Sequence, residues 1–233
     1  ALHFAAQFVF TETVKNLLDN LTPEQQLKLI SIQDNNGDTA LHITTYLGYT
    51  DTMKTLLDIL TPKEQLKLVA VQNKYGDTAL NRAARSGHTE TVKSLLDNIT
   101  PEEQLQLLFT QDGCGNTALH DAGRPGHTET MKALLDYLAP EQQLRFLSTQ
   151  NITGSTALHY AALFGHTETI KTLLDILTPE QQLKLLAVQN NEGMIAVQKA
   201  AGRYTNSDTM RTLEHYQNEA DYRVNYRKFA LFT

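Results

Sequence analysis

The sequence predicts an all-α helical solenoid of six stacked repeats, and three recurrences carry that prediction. Thr-Ala-Leu-His stands at Thr39–His42, Thr117–His120 and Thr156–His159, with Thr-Ala-Leu-Asn at Thr78–Asn81, so the motif starts every 39 residues. Ala1-Leu2-His3 lies one step back and Ile195-Ala196-Val197-Gln198 one step on. Thr-Pro at Thr22, Thr61, Thr100 and Thr178, and Ala-Pro at Ala139, keep the same period, as do the glycines Gly37, Gly76, Gly115, Gly154 and Gly193. A fixed period of this size means supersecondary units that bury their apolar faces on one another and share no single closed core. The repeats are 1–38, 39–77, 78–116, 117–155, 156–194 and 195–233.

The repeat from Thr156 shows why each element forms. Thr156 to Phe164 is rich in helix formers and stops at Gly165, which gives a first helix. Thr167-Glu168-Thr169 opens a second. There Ile170, Leu173, Leu174 and Leu177 fall at i, i+3, i+4 and i+7, the stripe of an amphipathic helix. Thr178-Pro179-Glu180-Gln181 starts a third: Thr suits the N-cap, Pro the first turn, and Gln the reciprocal half of a capping box. Its expected buried positions are Leu183, Leu185, Leu186 and Val188. A polar turn ending in Gly follows, as in Asn35-Asn36-Gly37-Asp38, and is read as a projecting finger without a stable sheet.

These residues resemble the ankyrin repeat. The family pattern appears as Asn151, Gly154, Thr156, Leu158, His159, Ala161, Ala162, Gly165, His166, Glu168, Ile170, Leu173 and Leu174 within one repeat, and the resemblance covers nearly the whole chain. Two departures matter. Ala follows Thr where the family has Pro, and Leu-Thr-Pro-Glu-Gln-Gln-Leu-Lys-Leu-Leu replaces the usual linker, so each repeat has about three helices. The resemblance implies that the first His ties neighbouring finger backbones and that the second sits in the turn between helices. Long arrays with this insertion resemble those of effectors from intracellular or symbiotic bacteria.

The ends differ from the middle. Phe4, Phe8, Val9 and Phe10 are large and apolar in the first repeat. Either more protein precedes Ala1, making this chain a fragment, or these side chains fill the repeat's own core; self-association through them is a further reading. The last repeat has an extra residue around Arg203–Asn206 and lacks Thr-Pro, so it reads as a degenerate C-terminal cap. Asn218-Glu219-Ala220-Asp221 is expected to start a final helix through Tyr222 and Tyr226.

Bulk composition narrows function. Net charge is -6 and pI about 5.7, with no globally basic face for nucleic acid. No stretch approaches the roughly 20 apolar residues of a membrane span. Cys114 is the only cysteine, which suits a reducing compartment: cytoplasmic or, for an effector, inside a host cell. Seven of the eight histidines recur with the structural period and no Cys/His spacing resembles a zinc site, so no metal or cofactor is expected. Cys114 and His120 could be dressed as nucleophile and base, but Cys114 sits between glycines with no evident oxyanion donor or third partner, so no enzyme is indicated.

Function is sought where the repeats disagree. The resemblance implies that partner contacts come from residues beside the finger Gly and from the first helix. Ile43, Tyr46 and Leu47 are expected to form one apolar patch, and Ile152, Tyr160, Leu163 and Phe164 another. Lys74, Arg82, Arg85 and Arg124 are expected to form a basic patch between them; Tyr75 and Asp121 occupy further variable slots. Tyr and Arg are enriched at binding hot spots. The resulting expectation is a protein–protein interaction scaffold for an acidic or amphipathic protein segment. The alternative is a targeting module of a larger protein whose active part lies elsewhere.

Overall fold

The computed structural model describes residues 2–8, 11–203 and 207–230. Among these there are seventeen helices and no strand. By its contacts the chain falls into two compact units, Ala1–Ala118 and Leu119–Thr233.

The first unit carries three repeats of three helices: α1 (Leu2–Gln7), α2 (Thr11–Asp19) and α3 (Pro23–Ile30); α4 (Ala40–Leu47), α5 (Thr50–Asp58) and α6 (Pro62–Val69); α7 (Ala79–Ser86), α8 (Thr89–Asp97) and α9 (Pro101–Leu108). First helices stack on first helices, α1 on α4 and α4 on α7, and second helices likewise, α2 on α5 and α5 on α8. Met53, Leu56, Leu57, Leu80, Leu95 and Leu96 fill the space between them, fully buried.

The second unit holds α10 (Ala118–Gly123), α11 (Thr128–Asp136), α12 (Pro140–Leu147), α13 (Ala157–Leu163), α14 (Thr167–Asp175), α15 (Pro179–Leu186), α16 (Ala196–Arg203) and α17 (Ser207–Ala230). Ile170, Leu173, Leu174 and Leu177 are all buried, as their spacing requires. In α15 only Leu185 and Leu186 are buried; Leu183 and the following Val188 are half-exposed.

The inserted third helix is fastened the same way in every full repeat. Thr22, Thr61, Thr100 and Thr178 precede its proline with extended backbone, and the side chain three residues on accepts the cap amide, as Gln25 does at 3.0 Å and Glu103 at 2.9 Å. Ala139 keeps only that half of the box, through Gln142 at 2.9 Å. Gln26, Gln65, Gln104, Gln143 and Gln182 then reach back with Nε2 to Leu18, Leu57, Leu96, Leu135 and Leu174, at 2.9–3.1 Å. Those carbonyls end the second helix, where each also accepts the amide three residues on, so the glutamine adds a second bond that ties the third helix to the second.

The C-terminus departs from expectation. α17 is one 24-residue helix packed on α14, α15 and α16, and no new helix begins at Asn218. Its sequence contains neither Gly nor Pro, so nothing interrupts the backbone ladder. Val9, Phe10 and the insertion at 204–206 lie outside the described residues.

Candidate protein-docking surface

Five closed fingers carry the variable residues, and each opens on an Asx side chain. Asp34 Oδ1 accepts the amides of Asn36 and Asp38 at 2.7 and 2.9 Å. Asn73 takes those of Tyr75 and Asp77, Asp112 those of Cys114 and Asn116, Asn151 those of Thr153 and Ser155, and Asn190 those of Glu192 and Met194, all within 2.8–3.0 Å. The side chain imitates a turn and satisfies amides that would otherwise need a sheet partner. The finger Gly stands at positive φ, 78° at Gly37 and 79° at Gly76. A Cβ on Gly37 would come within 2.7 Å of the Lys74 nitrogen. That closeness allows one finger to bond the next: Lys74 N–H to Asn36 O and Gly113 N–H to Tyr75 O in the first unit, Asn191 N–H to Thr153 O in the second.

Histidine does two structural jobs. Thr39 N–H donates to His42 Nδ1, closing the α4 cap, and His42 Nε2 then donates to Asp77 O of the next finger at 3.0 Å. Thr156, His159 and Met194 repeat this in the second unit. Both ring nitrogens are engaged, so a metal on either ring would have to displace the cap bond or the bond to the next finger. Burial pushes both imidazoles below their ordinary pKa, although the carbonyl each one bonds opposes the shift. The second histidine also ties repeats: His88 donates to Tyr46 O and His166 to Arg124 O, each at 3.0 Å. Their rings lie on Gly48 and Gly126, where a Cβ would approach within 2.6 and 2.5 Å.

On this frame the first unit places Tyr46, Tyr75, Arg82, Arg85 and Lys74. Tyr46 and Tyr75 are 48% and 62% exposed, and Lys74 is exposed beside Tyr75, while Ile43 and Leu47 are half-buried. Arg82 Nη2 bonds both oxygens of Asp38 at 2.8 and 3.0 Å, and its Nε lies 3.3 Å from Asp77. Arg85 grips Asp77 bidentately at 2.7 and 2.9 Å and reaches Asp112 at 3.6 Å. Two guanidiniums therefore meet three carboxylates, and these arginines do not stand as a basic patch. Asp77 is almost wholly buried (side chain 2% exposed). Arg82 also lies over the Tyr46 ring, 5.6 Å from its centroid, holding that aromatic in place.

The second unit brings Ile152, Tyr160 and Leu163 together around an open cavity of about 440 Å³, closed on the far side by Asn190, Glu192 and Lys199. Ile152 is 66% exposed at the finger tip. Asn151 Nδ2 donates to the Tyr160 hydroxyl at 2.8 Å, and Lys199 pairs with Glu192. Arg124, exposed, sits 5.8 Å over the Phe164 ring. Asp121 is buried, so this variable slot offers no side chain to a partner as it stands. Cys114 is exposed at its finger tip.

What sequence reasoning missed are the acids Asp38 and Asp77 as partners of the arginines, and the Asx residue opening each finger. The second had a signal: Asp or Asn at 34, 73, 112, 151 and 190, on the same period. Among the described residues no helix is long and apolar enough to cross a membrane.

The family model for ankyrin repeats (three copies) matches residues 2–106 and 102–182. Among solved structures, the chain is similar to the crystal structure of EF0377, an ankyrin repeat protein. Identity is 23% and the TM-score 0.70, over 93% of this chain and 97% of that one. At that identity the likeness speaks for the fold. None of the curated proteins matches.

Proposed function

The chain belongs to the ankyrin repeat family, whose members are generally protein–protein interaction modules, and we propose that it is a non-catalytic scaffold gripping a partner protein with its finger tips and first helices. One observation supports this most. Tyr46, Tyr75 and Ile152 stand in solvent on fingers and helices whose own polar groups are engaged in the repeated hydrogen-bond network. Large exposed apolar side chains on a rigid backbone lose little entropy on binding. The partner segment that fits is amphipathic. On the first unit its apolar side chains meet Tyr46 and Tyr75; the second unit, taken by itself, offers Ile152, Tyr160 and Leu163 to a segment of the same kind. Acidic side chains meet Lys74 and Arg124, since Arg82 and Arg85 are neutralised within the protein.

The test is site-specific photo-crosslinking in cells from which the chain is expressed. A crosslinkable residue at Tyr46, Tyr75 or Ile152 is expected to trap a common partner, and the same group at Lys67 or Glu102, exposed on the inserted helices, is expected not to. Equal trapping from both sets of positions would overturn the reading.

A further inference from the structure

Each repeat after the first covers part of its second helix with the repeat before it. Leu56 and Leu95 in the first unit, and Leu173 in the second, are fully buried at this place. In the last repeat the place is held by Leu213, 1% exposed, on α17, which packs against α14 and α15. Beside each leucine a buried threonine bonds a threonine of the preceding repeat: Thr52 to Thr11, Thr91 to Thr50, Thr169 to Thr128 and Thr209 to Thr167, at 2.6–2.7 Å.

The first repeat keeps these receiving groups, and among the described residues no repeat packs upon them. Leu17 holds the leucine place and is 36% exposed; Thr13 holds the threonine place and is exposed. Leu21 and Leu29 are half-buried where Leu60, Leu177, Leu68 and Leu185 are buried. A face meant for water would carry polar residues here, as a capping repeat does. The opposite end of the repeat series does so. There α17 turns Asp208, Arg211, His215 and Glu219 outward. That charged face does not complement leucines, which argues against a second copy stacking end to end.

We propose that the outer face of α2 and α3 is a stacking interface for one more repeat of this 39-residue class, seated ahead of α1 in the register seen within the chain. The occupant presents a threonine hydroxyl to Thr13 and an apolar surface to Leu17, Leu21 and Leu29. The interface is thus the repeat-to-repeat contact of this protein continued by one step.

The test joins a copy of residues 40–78 directly ahead of Ala1 in the full chain, restoring Thr before Ala-Leu-His. Urea unfolding is then compared in both chains with and without Leu17→Asp. The extended chain is expected to unfold in the same transition as the parent, with a higher midpoint and a steeper slope. Leu17→Asp should hardly move the midpoint of the 233-residue chain but should lower that of the extended chain about as far as Leu56→Asp does. A second extension copying residues 79–117 guards against a defect of one copied repeat. Separate melting of both added repeats, with Leu17→Asp equally mild in all chains, would overturn the proposal. So would dimerisation of the 233-residue chain that Leu17→Asp abolishes, since the face would then belong to a second copy.

Discussion

The first-helix surfaces of the two units use the same backbone positions for opposite chemistry. Arg82 of the first unit and Tyr160 of the second stand two periods apart on equivalent turns. Arg82 is clamped between Asp38 and Asp77, whereas Tyr160 lines an open cavity with Ile152 and Leu163. The residue after the finger Gly just ahead of each slot differs with it: Asp77 ahead of Arg82, Ser155 ahead of Tyr160. The acid pairs with the arginine of the first helix that follows it; the small residue leaves the slot open. The period therefore sets where a side chain sits, and one residue in the finger decides whether it faces inward or outward chemically.

The largest break in this comparison is expected from Asp77→Ala. It strips both Arg82 and Arg85 of a nearly buried carboxylate and should cost about 3 kcal/mol, read by chemical denaturation. A cost below that of an ordinary exposed pair would mean that the cluster is decoration. Glycine gives the next contrast. Gly193→Ala meets nothing within 4 Å and should cost about 1 kcal/mol, from its left-handed backbone alone. Gly76→Ala also drives a Cβ into the backbone of Gly113, adding roughly 2 kcal/mol. In the second unit, Tyr160→Phe removes the bond from Asn151 and should cost about 1 kcal/mol while leaving the apolar wall in place. The mildest change is acidification. The unfolded chain protonates its histidines around the ordinary value of 6.5, whereas folded His42 and His159 resist until lower pH. Stability should thus be full above 6.5 and decline as pH falls through 6.5 toward the folded-state values, a slope that His42→Asn and His159→Asn should flatten.

Much of the fold could be read from the period. The three helices per repeat and the Thr-Pro caps follow from residue types whose bonds lie within one repeat, whereas the two histidine roles came from the family resemblance. The Arg82–Asp38 pair could not be read this way, because it spans 44 residues, one period plus a few, and no local pattern encodes that register. The arginines alone read as a basic patch, although Asp77 stands only eight residues before Arg85; stacking adds Asp38. The long α17 was missed for a different reason. Asn218 resembles a cap, yet a cap acts only where the chain has left the helix, and nothing between Ser207 and Ala230 makes it leave. Tyr46, Tyr75 and Ile152 stand out in the sequence because their positions differ between repeats, and all three are exposed.

The finger closure carries a last consequence for how such a chain can change over generations. Gln33 and Gln72 each donate to the glycine carbonyl of their own finger and to the glutamine backbone of the next repeat, and Gln150 extends the same backbone tie to Gln189. Every bond in that ladder uses residues common to the repeats, and none uses a tip side chain. A tip can therefore be exchanged between repeats, or a whole repeat duplicated by misaligned recombination, and the product inherits an intact frame. New specificities arise by shuffling tips on a framework that does not have to be solved again.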